Sequence, residues 1–142
     1  MQSDQTAFVP KKRLWAGRII SGIVVLFLIF DGVTKLMKID PVVQGMRQLG
    51  YPVTLAPAIG TILLLCVVIY AIPRTAPLGA ILLTGYLGGA VASQLRVGMP
   101  LLGHTLAPIY VAALAWGGLY LRDSRVRALI GSRDGYRYTS RD

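Results

Sequence analysis

Four apolar stretches, each about the length that crosses a bilayer, occupy most of this chain and constrain it more than any other feature; they run over about 14–37, 53–72, 78–95 and 106–121. A helix rises about 1.5 Å per residue, so about twenty residues cover a hydrocarbon core of roughly 30 Å. No water satisfies backbone N–H and C=O groups inside lipid, which restricts spanning structures to helices and closed barrels. The runs IISGIVVLFLIF (19–30) and IGTILLLCVVIYAI (59–72) are apolar all round and lack the polar stripe of a soluble helix. The expected fold is therefore all-α: an antiparallel, up-down-up-down four-helix membrane bundle.

A formal net charge of +9 raises the question of nucleic-acid binding, and the placement of the charges answers it. Lys11, Lys12, Arg13 and Arg18 flank the start of the first span, Arg74 sits in the second loop, and Arg122, Arg125, Arg127, Arg133, Arg137 and Arg141 follow the last span. The first and third loops carry only Lys35, Lys38, Arg47 and Arg96. Cytoplasmic segments collect Lys and Arg, so both termini and the second loop are expected in the cytoplasm. The same basic flanks suit anionic lipid headgroups. No reading helix, aromatic stacking platform or DNA-binding motif accompanies them, and no nucleic-acid partner is expected.

This divides the chain into a basic cytoplasmic N-terminal tail (1–13), a transmembrane domain (14–130) and a flexible cytoplasmic C-terminal tail (131–142). Lys11 to Arg13 followed by an apolar run resembles a secretory signal, but FDGVTKLMK offers no A-x-A type cleavage site, so the segment reads as a retained first helix. Pro73-Arg74-Thr75-Ala76-Pro77 predicts a tight turn, with Pro77 in the first turn of the next helix. Asp40-Pro41 reads as a cap and first-turn proline, Val42 to Leu49 as a short interfacial helix, and Gly50 as its stop. The other outer loop, VGMPLLGH, is short.

Small residues mark the third span for packing: Ala80, Thr84, Gly88 and Ala92 recur every fourth residue, beside a second row of Gly85, Gly89 and Ser93. Such spacing lets backbones approach closely in lipid, so the bundle is expected to be built around this helix, with Ala113 and Gly117 of the last span as a matching surface. The Gly85–Gly89 spacing also suits self-association. Trp15, Tyr70 and Tyr120 are expected at the cytoplasmic interface and Tyr51 at the outer one, while Tyr86 and Trp116 lie deeper and need polar partners inside the bundle.

Any chemistry must come from polar residues that lipid would otherwise reject. Asp31 and Lys35 lie four apart on one face near the outer end of the first helix; Gln94 and Arg96 end the third, and His104 precedes the fourth. All five fall on one side of the membrane, which predicts a small polar vestibule opening outward. The plainer alternative is an interfacial ion pair, with Lys35 snorkelling to the headgroups and Asp31 neutralising it. A metal site is not expected, because His104 is the single histidine and there is no glutamate. No Ser-His-Asp spacing is evident. The lone Cys66 excludes an intramolecular disulfide and a C-x-x-C motif, and no Gly-rich phosphate loop joins a strand to a helix.

FDGVTKL at the end of the first helix, LGYP before the second, YAIPRTAPLGAILLTGYLGGAVASQLRVG across the third and HTLAPIYVAALAWGGLYLRD in the fourth resemble the DoxX-like family of small bacterial four-helix membrane proteins, over about 14–130. The resemblance implies a bundle in the bacterial inner membrane. The family takes its name from a subunit of a thiosulfate:quinone oxidoreductase, and most members have no assigned reaction. Where such members often carry histidine, this chain has Gln94, which hydrogen-bonds but does not titrate, so a paired-histidine site with His104 is not expected. The expected role is an accessory or small-ligand-binding membrane component, not a self-sufficient enzyme, with a membrane-protein partner or a second copy as candidate associates. No cofactor is evident. The rival readings are a membrane subunit of a quinone-linked oxidoreductase, with His104, Asp31 and Lys35 near a quinone headgroup, and a small-molecule transporter. The sparse polar residues in mid-span, Thr61, Thr84 and Tyr86, argue against a continuous ion path.

Overall fold

The computed structural model describes residues 10–131, without the His104 side chain. The two expected tails therefore lie almost wholly outside the described residues. Every regular element among those described is helical: α1 (Lys11–Met37), α2 (Asp40–Gln48), α3 (Ala56–Ala71), α4 (Ala76–Arg96), α5 (Ala107–Arg122) and α6 (Ser124–Gly131). A 3-10 turn at Val53–Leu55 leads into α3, and a π turn at Leu101–Thr105 leads into α5. With those lead-ins, four helical segments among the described residues are long and apolar enough to cross a membrane: Lys11–Met37, Val53–Ala71, Ala76–Arg96 and Leu101–Arg122.

Proline placement explains where the helices begin. Pro41, Pro57, Pro77 and Pro108 each stand in the first two positions of α2, α3, α4 and α5. There the missing N–H leaves no intrahelical bond unmade, and the fixed φ already suits a helix. Asp40 is the first residue of α2 and makes no side-chain cap, so the cap expected of it is not formed. Stops are set by left-handed backbone: Lys38 closes α1 at φ +50°, Gly50 follows α2 at +74° and Gly98 follows α4 at +70°. The short interfacial helix and its glycine stop are thus as expected. α6, by contrast, is an element that the sequence expectations above do not include.

The four spanning helices form a ring in which α1 packs along α3 and α5, and α4 closes against the same two helices from the opposite corner. The core threads its centre through Val24, Leu28, Leu63, Val67, Leu83 and Leu119. Large apolar side chains on the outer faces, including Leu26, Phe27, Phe30, Leu65 and Ile81, stay exposed to the bundle's surroundings. That inversion of the soluble pattern is what a lipid solvent requires, since apolar side chains lose nothing by facing acyl chains.

Tight packing comes from glycines other than those expected. A Cβ on Gly118 of α5 would lie 2.6 Å from Ser21 Oγ of α1, and one on Gly17 would lie 2.9 Å from the Gly118 carbonyl oxygen. Toward the other end, a Cβ on Gly60 of α3 would lie 2.8 Å from the Gly32 carbonyl oxygen of α1. Gly79 of α4 sits directly against the Tyr70 backbone of α3, with no room for any side chain. By contrast, Cβ atoms on Gly85, Gly88, Gly89 and Gly117 would meet nothing within 4 Å. The expectation of a bundle built around the third span is therefore corrected. Ala80 is buried, but Thr84, Gly85, Gly88, Gly89 and Ala92 lie on the outer surface, and so does Ala113. Four-residue spacing marks a flat helix face without saying which neighbour meets it.

Candidate functional site

The bundle has two polar ends. The distal pole comprises the end of α1, α2, the end of α4 and the turn into α5; the proximal pole comprises the start of α1, the α3–α4 turn and α6. All five candidate positions belong to the distal pole, and among the four whose side chains are described, Asp31, Lys35, Gln94 and Arg96 do not form one bonded cluster.

Asp31 and Lys35 form an ion pair one turn apart on α1, Lys35 Nζ donating to Asp31 Oδ2. The Lys35 side chain is 18% exposed and that of Asp31 39%, so the pair sits half inside the bundle rim. Gly60 makes this placement possible, because its missing Cβ leaves room for Lys35 Cβ where α3 crosses α1. Thr34 turns inward on its own helix, donating to the Asp31 carbonyl oxygen at 2.8 Å. The Tyr86 phenol is partly buried against the core.

Arg96 belongs to a different assembly. Its Nη2 donates to the Leu49 carbonyl oxygen at 2.6 Å, and its guanidinium lies 5.6 Å from the Tyr51 ring centre. Ser93 Oγ donates to the Gly89 carbonyl oxygen at 2.9 Å, so the 2.8 Å contact between Tyr51 and Ser93 uses the tyrosine proton. Together these contacts clasp the α2–α3 connection onto the end of α4. In the sequence Tyr51 is marked only as an interfacial residue and Ser93 only as part of a packing row, and nothing local in either segment signals their partnership across 42 residues.

Among the described residues of this pole, Gln94 is the one with a buried side-chain atom left without a hydrogen bond. Its Oε1 is buried and has no hydrogen-bond donor. Buried polar atoms are normally paired, because leaving one bare costs about 1–3 kcal/mol. Thr105 nearby in the chain is buried and donates to the Pro100 carbonyl oxygen at 3.3 Å, within the π turn that also carries His104. The His104 side chain lies outside the described residues. Among those described, no group of three His, Cys, Asp or Glu residues is gathered as metal ligands would be. Cys66 is buried and free.

Two aromatic expectations divide. Trp116 does find a polar partner, but on the outer face and not inside the bundle: its indole N–H donates to Thr84 Oγ1 at 2.7 Å between α5 and α4. Tyr70 lies near the proximal end of α3 but faces inward and not the headgroups; it is fully buried, with its hydroxyl donating to the Ala115 carbonyl oxygen at 2.7 Å.

The ring of four apolar helices with polar poles defines a multi-pass α-helical membrane protein. The family model for the DoxX-like family matches residues 19–118, and the chain belongs to that family. No significant match is found among curated proteins, and none among solved structures.

Proposed function

We propose that the protein is an accessory, ligand-binding component of the bacterial inner membrane, whose distal pole faces outward and holds a small molecule carrying an O–H or N–H donor. The observation that carries this reading is the buried, donorless Gln94 Oε1 at the end of α4, at the same pole as the half-buried Asp31–Lys35 pair. A ligand donor would satisfy the amide oxygen, while Lys35 and Asp31 supply a charged donor and acceptor at the rim. The outward orientation rests on the excess of Lys and Arg at the proximal pole.

A quinol headgroup has the required hydroxyl donors, and its isoprenoid tail suits a site opening into lipid. Gln94 and Lys35 are the residues that would hold such a headgroup. The test is native mass spectrometry of the detergent-purified protein with a ubiquinol analogue, supported by identification of any copurifying small molecule. Gln94→Leu, Asp31→Asn and His104→Ala should each weaken binding while the bundle stays folded. Equal binding by wild type, Gln94→Leu and Asp31→Asn would overturn the reading. A stably copurifying redox protein would instead assign the chain to a quinone-linked oxidoreductase.

A further inference from the structure

The proximal pole holds a second feature, independent of the distal site. A cavity of about 110 Å³ opens there, lined by Arg18, Pro73, Ala76, Arg122 and Asp123. Arg122 is anchored on α3: its Nη2 donates to the Tyr70 carbonyl oxygen at 3.1 Å, and its guanidinium packs 5.1 Å from the Tyr70 ring centre. Those contacts hold the guanidinium plane in place. They also leave its Nε buried with no acceptor, a charged donor without a bond.

Three further facts give the cavity its sign. Among the described residues the ion pairs are Lys35–Asp31 and Arg125–Asp123, so neither Arg18 nor Arg122 is neutralised by a carboxylate. The carboxylate on the cavity wall is already engaged, since Asp123 accepts from the Arg125 backbone N–H at 2.8 Å, from its Nε at 3.3 Å and from its Nη2 at 3.0 Å. Ala76 opens α4, a helix of 21 residues whose first turn has no side-chain cap; the Thr75 hydroxyl turns away to the Ile69 carbonyl oxygen at 2.8 Å. The positive end of that helix dipole therefore meets two unpaired guanidinium groups.

We infer that this cavity binds a phosphate-class oxyanion, the phosphodiester of an anionic phospholipid or free phosphate, between Arg18, Arg122 and the start of α4. Arg122 supplies a positioned N–H and Arg18 an exposed charge on the cavity wall. A planar guanidinium fork suits phosphate oxygens better than an ammonium does. A phospholipid is one source of such a group, because the cavity lies at the pole where the helices leave the apolar region, and exposed apolar side chains such as Ile19 of α1 stand beside it for the acyl chains.

The test is native mass spectrometry of the full chain in detergent with phosphatidylglycerol, with phosphatidylcholine as the neutral-headgroup control, and separately with inorganic phosphate. Arg18→Gln should lower phosphatidylglycerol affinity about five- to tenfold, while Lys12→Gln, which removes the same charge from the same pole outside the cavity, should change it less than about twofold. Arg122→Lys keeps the charge and should weaken binding by a similar five- to tenfold factor through loss of the fork. Phosphate binding with the same Arg18 dependence, without selective phosphatidylglycerol retention, would support the site and assign free phosphate as its source. Equal losses from Arg18→Gln and Lys12→Gln would mean diffuse surface attraction and overturn the proposal. So would no preference for phosphatidylglycerol over phosphatidylcholine together with no phosphate binding.

Discussion

The hydroxyl groups of Ser21 on α1 and Tyr70 on α3 lie 3.1 Å apart in the buried interior of the bundle. Tyr70 gives its one proton to the Ala115 carbonyl oxygen of α5, so the serine proton completes the chain, and one tyrosine ties three helices together. Tyr70→Phe keeps the ring and removes both bonds, leaving the Ser21 hydroxyl unpaired. Interhelical hydrogen bonds in membranes contribute modestly, and a buried group left bare costs more, so the expected loss is about 1–3 kcal/mol. Unfolding in mixed micelles of increasing denaturing-detergent fraction measures it. Unchanged stability in Tyr70→Phe would show that the hydroxyl chain contributes nothing net.

The glycines give a sharper contrast. Gly79→Ala drives a methyl into the Tyr70 backbone, and Gly118→Leu drives a side chain into Ser21, so both should separate helices and cost at least about 1–3 kcal/mol. Gly88→Leu and Gly89→Leu meet open space within the chain and should leave its stability within about 0.5 kcal/mol of wild type. The same unfolding titration on single chains checks this. Equal damage from both groups would mean that the outer row of α4 is packed after all, against a second molecule.

That contrast shows what the sequence carries and what it does not. Span number, the proline starts and the Gly50 stop are legible because each depends on a few neighbouring residues and on the solvent, lipid or water. The ring order of the helices is not local. Gly17, Gly32, Gly60, Gly79 and Gly118 are scattered among ordinary apolar runs, whereas the conspicuous row on α4 faces outward, so regular spacing pointed to the wrong contacts. The distal site behaves likewise: chain position gathers Asp31, Lys35, Gln94, Arg96 and His104 at one pole, but only folding reveals that Arg96 belongs to Tyr51 and that Gln94 is left unpaired.

Orientation is tested independently of any ligand. Gln48 is exposed at the end of α2, so Gln48→Cys in a Cys66→Ala chain should react with a membrane-impermeant maleimide on intact cells. Tags at either terminus should be reached only after permeabilisation, because the pole rich in Lys and Arg stays on the cytoplasmic side. The reverse labelling pattern would invert the bundle and place the distal pole inside.

The last prediction concerns α6 and acid. Asp123 precedes α6, and its carboxylate accepts the Arg125 backbone N–H at 2.8 Å as an N-cap does, while Arg125 Nη2 also donates to the Pro73 carbonyl oxygen at 2.7 Å. This links α6 to the α3–α4 turn, with Val126 buried beneath it. Partial burial pushes the Asp123 carboxyl up, but the hydrogen bonds and charge of Arg125, with the Val126 N–H, outweigh it and hold the group below its usual 3.8. A carboxyl depressed in this way stabilises the fold fully above its unfolded value and loses that contribution as pH falls through the folded value. Docking of α6 should therefore be constant at neutral pH and weaken only on acidification below about pH 4. Hydrogen exchange over residues 124–131, compared between about pH 5 and pH 3 after correction for the intrinsic rate, should show protection falling in wild type. Asp123→Asn retains a capping oxygen but loses the charge, so it should show lower protection throughout and no such step. A wild-type step that survives in Asp123→Asn would assign the acid sensitivity to another group and leave α6 docked by Val126 alone.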